Sequence, residues 1–145
     1  MPDMLGPGRR ILASQPFSVL LGAELLHFGE GKAELRIPIR DELKEQHGFV
    51  HGGVISYAAD NALTFAGGSV LGVDVVTSEF KINYLRPVQG DSLLARAAVV
   101  HRGRTQAVCR CDLFASEQGA DRLCATAQGT IAKLATPSEG ASQTN

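Results

Sequence analysis

The chain has 145 residues, 44% hydrophobic and 20% charged, with a formal net charge of −1. That length allows one domain with a proper core; the balance excludes a disordered protein, and the scattered Lys and Arg argue against a nucleic-acid partner. The longest apolar stretch is broken by Asp60 and Asn61, which excludes a membrane span.

The start, MPDMLGPGRR, lacks the charged-then-apolar pattern of a secretory signal. Pro2, Gly6, Pro7 and Gly8 predict a loose arm over 1–8. Arg9 to Leu21 has room for a short helix, interrupted at Pro16. The arm as a unit is placed at 1–16 and a single domain at 17–135. Ala23 to Phe28 reads as a strand, Gly29-Glu30-Gly31 as a turn, and Lys32 to Ile39 as the second strand of a hairpin. There Ala33, Leu35, Ile37 and Ile39 alternate with polar residues, as in a half-buried strand.

Asp41 to Val50 is a polar loop. It feeds a long stretch, HGGVISYAADNALTFAGGSVLG, from His51 to Gly72. Apolar residues recur there at Ile55, Ala58/Ala59, Ala62/Leu63, Ala66 and Val70, which is a helical period. Gly67, Gly68 and Gly72 are expected to loosen its far end. After it come strand-like runs at Val73–Leu85, Ser92–His101, Thr105–Ala115 and Arg122–Leu134. Turns separate them at Val88–Asp91, Arg102–Arg104 and Ser116–Asp121. Cys109 and Cys111 alternate on one strand face, so they and Cys124 are expected as buried core thiols and not as metal ligands. An odd cysteine count without a leader points to reduced thiols in a cytoplasm. The tail, 136–145, is small and polar and is expected to be disordered. Two strands, a buried helix and four more strands predict the α+β class, with one antiparallel sheet curled about the helix.

Asp60 is the chemical anomaly in that helix. A carboxylate in an apolar helix is costly unless it is paired or functional. Gly52-Gly53 at the helix start offers unpaired N–H groups, a positive dipole end and no Cβ to block a ligand. Asp60 follows Gly53 by seven residues. The helical rise therefore sets them about 10 Å apart along the axis. One helix then cannot bring both within roughly 3 Å of a single reacting carbonyl. Two antiparallel helices from two subunits can, so the spacing predicts a homodimer with two equivalent sites.

The motif His51-Gly52-Gly53, the acid nine residues after that His, the run TSEFKINYLRP from Thr77 to Pro87, Gly90-Asp91 and Gly103-Arg104 together resemble the hotdog-fold acyl-CoA thioesterases. The nearest branch is the phenylacetic-acid-pathway (PaaI) type. The resemblance covers 17–134. It implies a long helix wrapped by an antiparallel sheet, a homodimer usually paired into a tetramer, and hydrolysis of a thioester to free acid and coenzyme A. No cofactor is implied, since coenzyme A is part of the substrate. It gives Asp60 the role of general base or nucleophile, makes Gly52 and Gly53 oxyanion donors, and has Thr77 hold the water. The family commonly has Asn six residues before the motif His, and Gln in some members; here Glu45 stands there, with Gln46 beside it. Gln46 fills the role if the loop slips by one residue, whereas Glu45 brings a second negative charge toward the site.

Among the remaining candidates, His51 reads as fixing the helix start by a ring hydrogen bond, in preference to acting as a base. Asn61 and Thr64 either line the pocket or cap a neighbour. Tyr57 reads as packing or acyl-pocket wall. Lys81, Arg86, Arg102 and Arg104 are candidates for the phosphates of coenzyme A, Arg104 first. Two rival readings are a hotdog-fold acyl-thioester dehydratase or hydratase, and a non-catalytic acyl-CoA-binding protein.

Overall fold

A computed structural model describes residues 3–135. The expected loose arm is a helix instead: α1 runs from Leu5 to Ala13 and is followed by a short α2, Pro16–Leu21. Glycine and proline mislead here for a physical reason. Pro7 lies in the first turn of α1, where an N–H needs no intrahelical acceptor. Gly8 and Leu12 are buried, the helix being laid against the strand that follows. Pro16 opens α2 and so separates two helices where one interrupted helix was expected. The tail over 136–145 lies outside the described residues.

The strands are β1 (Glu24–Gly29), β2 (Lys32–Pro38), β3 (Val75–Tyr84), β4 (Ser92–Arg102), β5 (Gln106–Glu117) and β6 (Ala120–Lys133); the central helix, α3, is Gly52–Leu71. They form one antiparallel sheet in the order β1-β2-β4-β5-β6-β3. Helix α3 touches all six strands. A sheet that meets one helix along every strand has to curl about it, which is the architecture expected from the sequence.

Two differences concern lengths. The β5–β6 turn is only Gln118-Gly119, with φ of 51° and 82°. Such a turn matches the twist of its strands, so pairing continues to Glu117↔Ala120 where a six-residue turn was expected. The far end of α3 is not loosened by its glycines. A Cβ on Gly67 would lie 2.7 Å from Ile131 Cβ, so the bare backbone lets the helix press onto β6.

The core lies between α3 and the sheet. Ala58, Ala59, Ala62, Leu63 and Ala66 of the helix are buried against Leu35, Leu93, Leu113 and Ile131. Small residues on the helix allow the close approach. Each buried Leu contributes on the order of 2 kcal/mol relative to exposure. Ala107, Cys109, Cys111 and Leu113 share the buried face of β5 as the alternation predicts. All three cysteines are free; burial pushes the Cys109 and Cys124 thiols up to about 11 and that of Cys111 higher still.

Strand β3 closes one edge of the sheet and carries an irregularity. Thr77 pairs with Ile131 and Glu79 with Thr130, leaving Ser78 as an extra residue. This β-bulge inverts the alternation. Val75 and Thr77 are the sheltered positions before it, Phe80 and Ile82 after it. On β6, Gly129 accommodates the bulge: a Cβ there would lie 2.5 Å from Phe80 Cβ and 2.6 Å from the Glu79 carbonyl oxygen.

Candidate active site

His51 is the N-cap of α3. Its Nδ1 accepts the Gly53 N–H at 2.8 Å. The ring therefore caps the helix start, and the contact requires a neutral imidazole with its proton on Nε2. Gly52 and Gly53 are distinguished by that contact. The Gly53 N–H is engaged by the ring, while the Gly52 N–H has no partner among the described residues. Tyr84, at the end of β3, donates its hydroxyl to the Gly52 carbonyl at 3.2 Å and so tethers the helix start to the sheet edge.

Two turns along α3, the Asp60 carboxylate meets β3. Thr77 donates its hydroxyl to Asp60 Oδ1 at 2.5 Å. Thr64 Oγ1 lies 2.9 Å from Thr77 Oγ1 and 2.8 Å from the Asp60 carbonyl oxygen. The single hydroxyl proton of Thr77 is committed to the carboxylate, so the one proton of the Thr64 hydroxyl serves both of its contacts, shared between the Asp60 carbonyl oxygen and Thr77 Oγ1. The half-buried carboxylate thus takes one hydroxyl proton, from Thr77, whose oxygen lies in turn against the Thr64 hydroxyl. The sequence places Thr64 near Asp60 by helical spacing; its contact with Thr77 exists because the Ser78 bulge turns Thr77 toward α3.

Asn61 and Tyr57 belong to a second network, on the side of α3 facing the N-terminal helices. Tyr57 donates to Ser18 Oγ at 2.5 Å, and Ser18 donates to Gln15 Oε1 at 2.6 Å. The Asn61 amide reaches Tyr57 Oη at 2.9 Å and Gln15 Oε1 at 3.2 Å. Burial raises the Tyr57 hydroxyl above its ordinary range, against the Ser18 and Asn61 hydrogen bonds. Gln15 and Ser18 were missed in the sequence because nothing in a proline-interrupted segment marks them. Between these helices, α3 and β3 lies a cavity of about 90 Å³, lined by Ile11, Gln15, Phe28, Asn61, Thr64, Phe65, Gly68, Val73 and Val75.

Glu45 folds back on its own loop. Its carboxylate accepts the N–H groups of His47 at 2.6 Å and Phe49 at 3.1 Å, and lies 3.0 Å from His47 Nδ1. The His47 ring first, then the Phe49 and His47 N–H groups, hold it below the usual carboxyl range despite desolvation. Gln46 is exposed and has no hydrogen-bond partner among the described residues, so it is the freer of the two. Lys81, Arg86, Arg102 and Arg104 are exposed and dispersed. Arg102 and Arg104 flank the β4–β5 turn near the Val75 end of β3, Lys81 lies midway, and Arg86 follows the Tyr84 end. That spread is about 30 Å of strand, too far for one phosphate.

A sheet wrapped about one long helix, with a carboxylate on the helix held by a hydroxyl from the edge strand, defines the hotdog class of acyl-thioester enzymes. Comparison with known proteins agrees. Residues 47–121 match the Thioesterase superfamily. A putative esterase from Saccharolobus solfataricus is 31% identical over 83% of this chain and 79% of its own. The acyl-coenzyme A thioesterase PaaI of Escherichia coli is 31% identical over 68% of this chain and 70% of its own. The crystal structure of a thioesterase family protein from Silicibacter pomeroyi superposes with a TM-score of 0.84 at 36% identity, covering 88% of this chain and 96% of that one. The chain belongs to the thioesterase superfamily, and its likeness to the PaaI type, read from His51-Gly52-Gly53 and Asp60, stands.

Proposed function

We propose that the protein hydrolyses acyl-CoA thioesters to the free acid and coenzyme A, at a site assembled from two copies of the chain. The Asp60–Thr77 contact carries this reading: a carboxylate oriented by a hydroxyl through Oδ1 keeps Oδ2 for a water or a carbonyl carbon. As a base, Asp60 takes a proton from water while the water oxygen bonds to the carbonyl carbon. The carbon–sulfur bond then breaks, and the sulfur leaves with a proton. As a nucleophile, Asp60 bonds to the carbon itself, the carbon–sulfur bond breaks, and the thiolate leaves and takes a proton from solvent. Water then cleaves the resulting anhydride, giving the free acid and returning the Asp60 carboxylate. Either way, charge collects on the carbonyl oxygen and needs N–H donors. The Gly52 N–H is the standing donor, and the Gly53 N–H joins when the His51 ring turns aside. The reaction so written calls for no cofactor.

Both donors lie on the same unbroken helix as Asp60, roughly 10 Å away along its axis. The free edge of β3 supports a partner's helix as their source. Its Tyr84 end lies beside Gly52 and its Thr77 end beside Asp60. Antiparallel pairing of two β3 edges about a twofold axis brings the Gly52 end of one copy to the Asp60 of the other. Val76 and Tyr84, exposed on this strand, are then covered.

Asp60→Asn tests the chemistry. Free-thiol release from an acyl-CoA panel should fall roughly 10²-fold or more with melting unchanged. Near-normal release in the folded variant would remove Asp60 from the mechanism. A change in enoyl-CoA absorbance without thiol release would overturn hydrolysis in favour of hydration.

A further inference from the structure

We propose that the cavity beside Thr64 is the acyl pocket, that the N-terminal helices form one of its walls, and that it admits short aliphatic chains and excludes aryl groups. This rests on the thioesterase reading and deepens it. The cavity is one hydroxyl removed from the carboxylate: Thr64 lines it and also touches Thr77, the partner of Asp60. Asp60, Thr64 and Gly68 follow at intervals of four residues along α3. Such residues form one stripe of a helix, so the stripe leads from the reacting centre into the cavity.

Its walls are apolar where an acyl chain would lie. Ile11, Phe28, Phe65, Val73 and Val75 surround it. Phe28 and Phe65 meet edge to face with centroids 5.2 Å apart and close the far end. The polar wall is already satisfied: the Asn61 amide is bonded to Tyr57 Oη and Gln15 Oε1. Those bonds pin the α1–α2 link to α3, so the wall exists before a ligand arrives. Size sets the substrate class. The volume is about 90 Å³. An apolar cavity that takes benzene measures ~150 Å³. By that comparison the space is too small for a phenyl ring and suits a short aliphatic chain such as butyryl.

Two substitutions of opposite sense test this. Gly68→Ala places a Cβ 3.4 Å from Val75 Cγ2, an ordinary contact the fold accepts, and takes a methyl's volume from the cavity. Phe65→Leu opens the closed end without emptying it. Acetyl-, butyryl-, hexanoyl-, octanoyl- and phenylacetyl-CoA are compared by free-thiol release as kcat/KM, with melting curves for each variant. The wild type should favour butyryl-CoA over hexanoyl- and phenylacetyl-CoA by about tenfold or more. In Gly68→Ala the butyryl-to-acetyl ratio should fall by about tenfold. In Phe65→Leu the hexanoyl-to-butyryl ratio should rise. If no thioester releases thiol, the thioesterase reading falls and the pocket with it. If thiol is released but octanoyl or phenylacetyl is preferred, or if folded Gly68→Ala keeps the wild-type ratios, hydrolysis stands and the pocket assignment is overturned.

Discussion

Thr77 gives its only hydroxyl proton to Asp60, and this fixes what substitution there should do. Thr77→Val keeps the shape and removes the donor. A hydrogen bond to a charged group is worth on the order of 2 kcal/mol, so turnover should drop roughly tenfold or more as the carboxylate loses its orientation. Thr77→Ser restores the hydroxyl and should recover most of the activity. If Val and Ser variants behave alike in thiol-release assays while both stay folded, Thr77 is a strand residue and nothing more. At this scale the sequence was informative where chemistry forces an odd residue into place: Asp60 is visible because a carboxylate has no business in an apolar helix. It was silent on Gln15 and Ser18, whose roles depend on helices packing against Tyr57 and Asn61 across more than 30 residues of chain. It left Glu45 and Gln46 open because a loop's closing hydrogen bonds, such as Glu45 to the Phe49 N–H, have no periodicity to betray them.

Among the elements, α3 and all six strands were legible, the helix from its apolar period of 3.6 and strands such as β2 and β5 from their alternation. The bulge in β3 was not. Ser78 and Glu79 stand where alternation slips, and a one-residue slip within a ten-residue strand looks like noise. The helix α1 was hidden for the opposite reason: its Gly and Pro read as loop until tertiary contacts bury Gly8 and Leu12. The bulge carries its own prediction. Gly129→Ala would force a Cβ against Phe80 Cβ and the Glu79 carbonyl, which is backbone and has nowhere to go. Overpacking of this kind costs about 1–3 kcal/mol, so melting should fall by roughly 5 °C or more. Thiol release measured well below the melting point should fall as well, because Thr77 adjoins the displaced residues. A Gly129→Ala protein with wild-type melting and turnover would show that β3 does not depend on that gap.

For the molecule as a whole, the test concerns which chain supplies which group. Gly52 is the first residue of α3, where proline is favoured, and His51 has ψ of 136°, the extended conformation that suits a residue before proline. Gly52→Pro therefore removes the standing N–H donor with little strain. Its homodimer and that of Asp60→Asn should each be nearly inactive. After an equal mixture is unfolded and refolded, about half the dimers should be mixed. Each mixed dimer has one site with both defects and one with none. Activity should return to about a quarter of wild type per site if the sites act independently. No recovery from variants that fold, dimerise and exchange would place donor and carboxylate on one chain.

Strand β6 meets both halves of the Asp60–Thr77 pair. Ile131 presses against Gly67 of α3, and Gly129, two residues before it, takes the bulge of β3. Helix and edge strand are each indexed to the same short piece of backbone, and the 2.5 Å contact between them follows from that shared origin. For anyone transplanting this site into another scaffold, copying Asp60 and Thr77 would move the letters without the ruled line they are written on. The portable unit is the pair together with Gly67, Ser78, Gly129 and Ile131, and a host sheet lacking that gap and that ridge would set the hydroxyl and the carboxylate out of reach of each other.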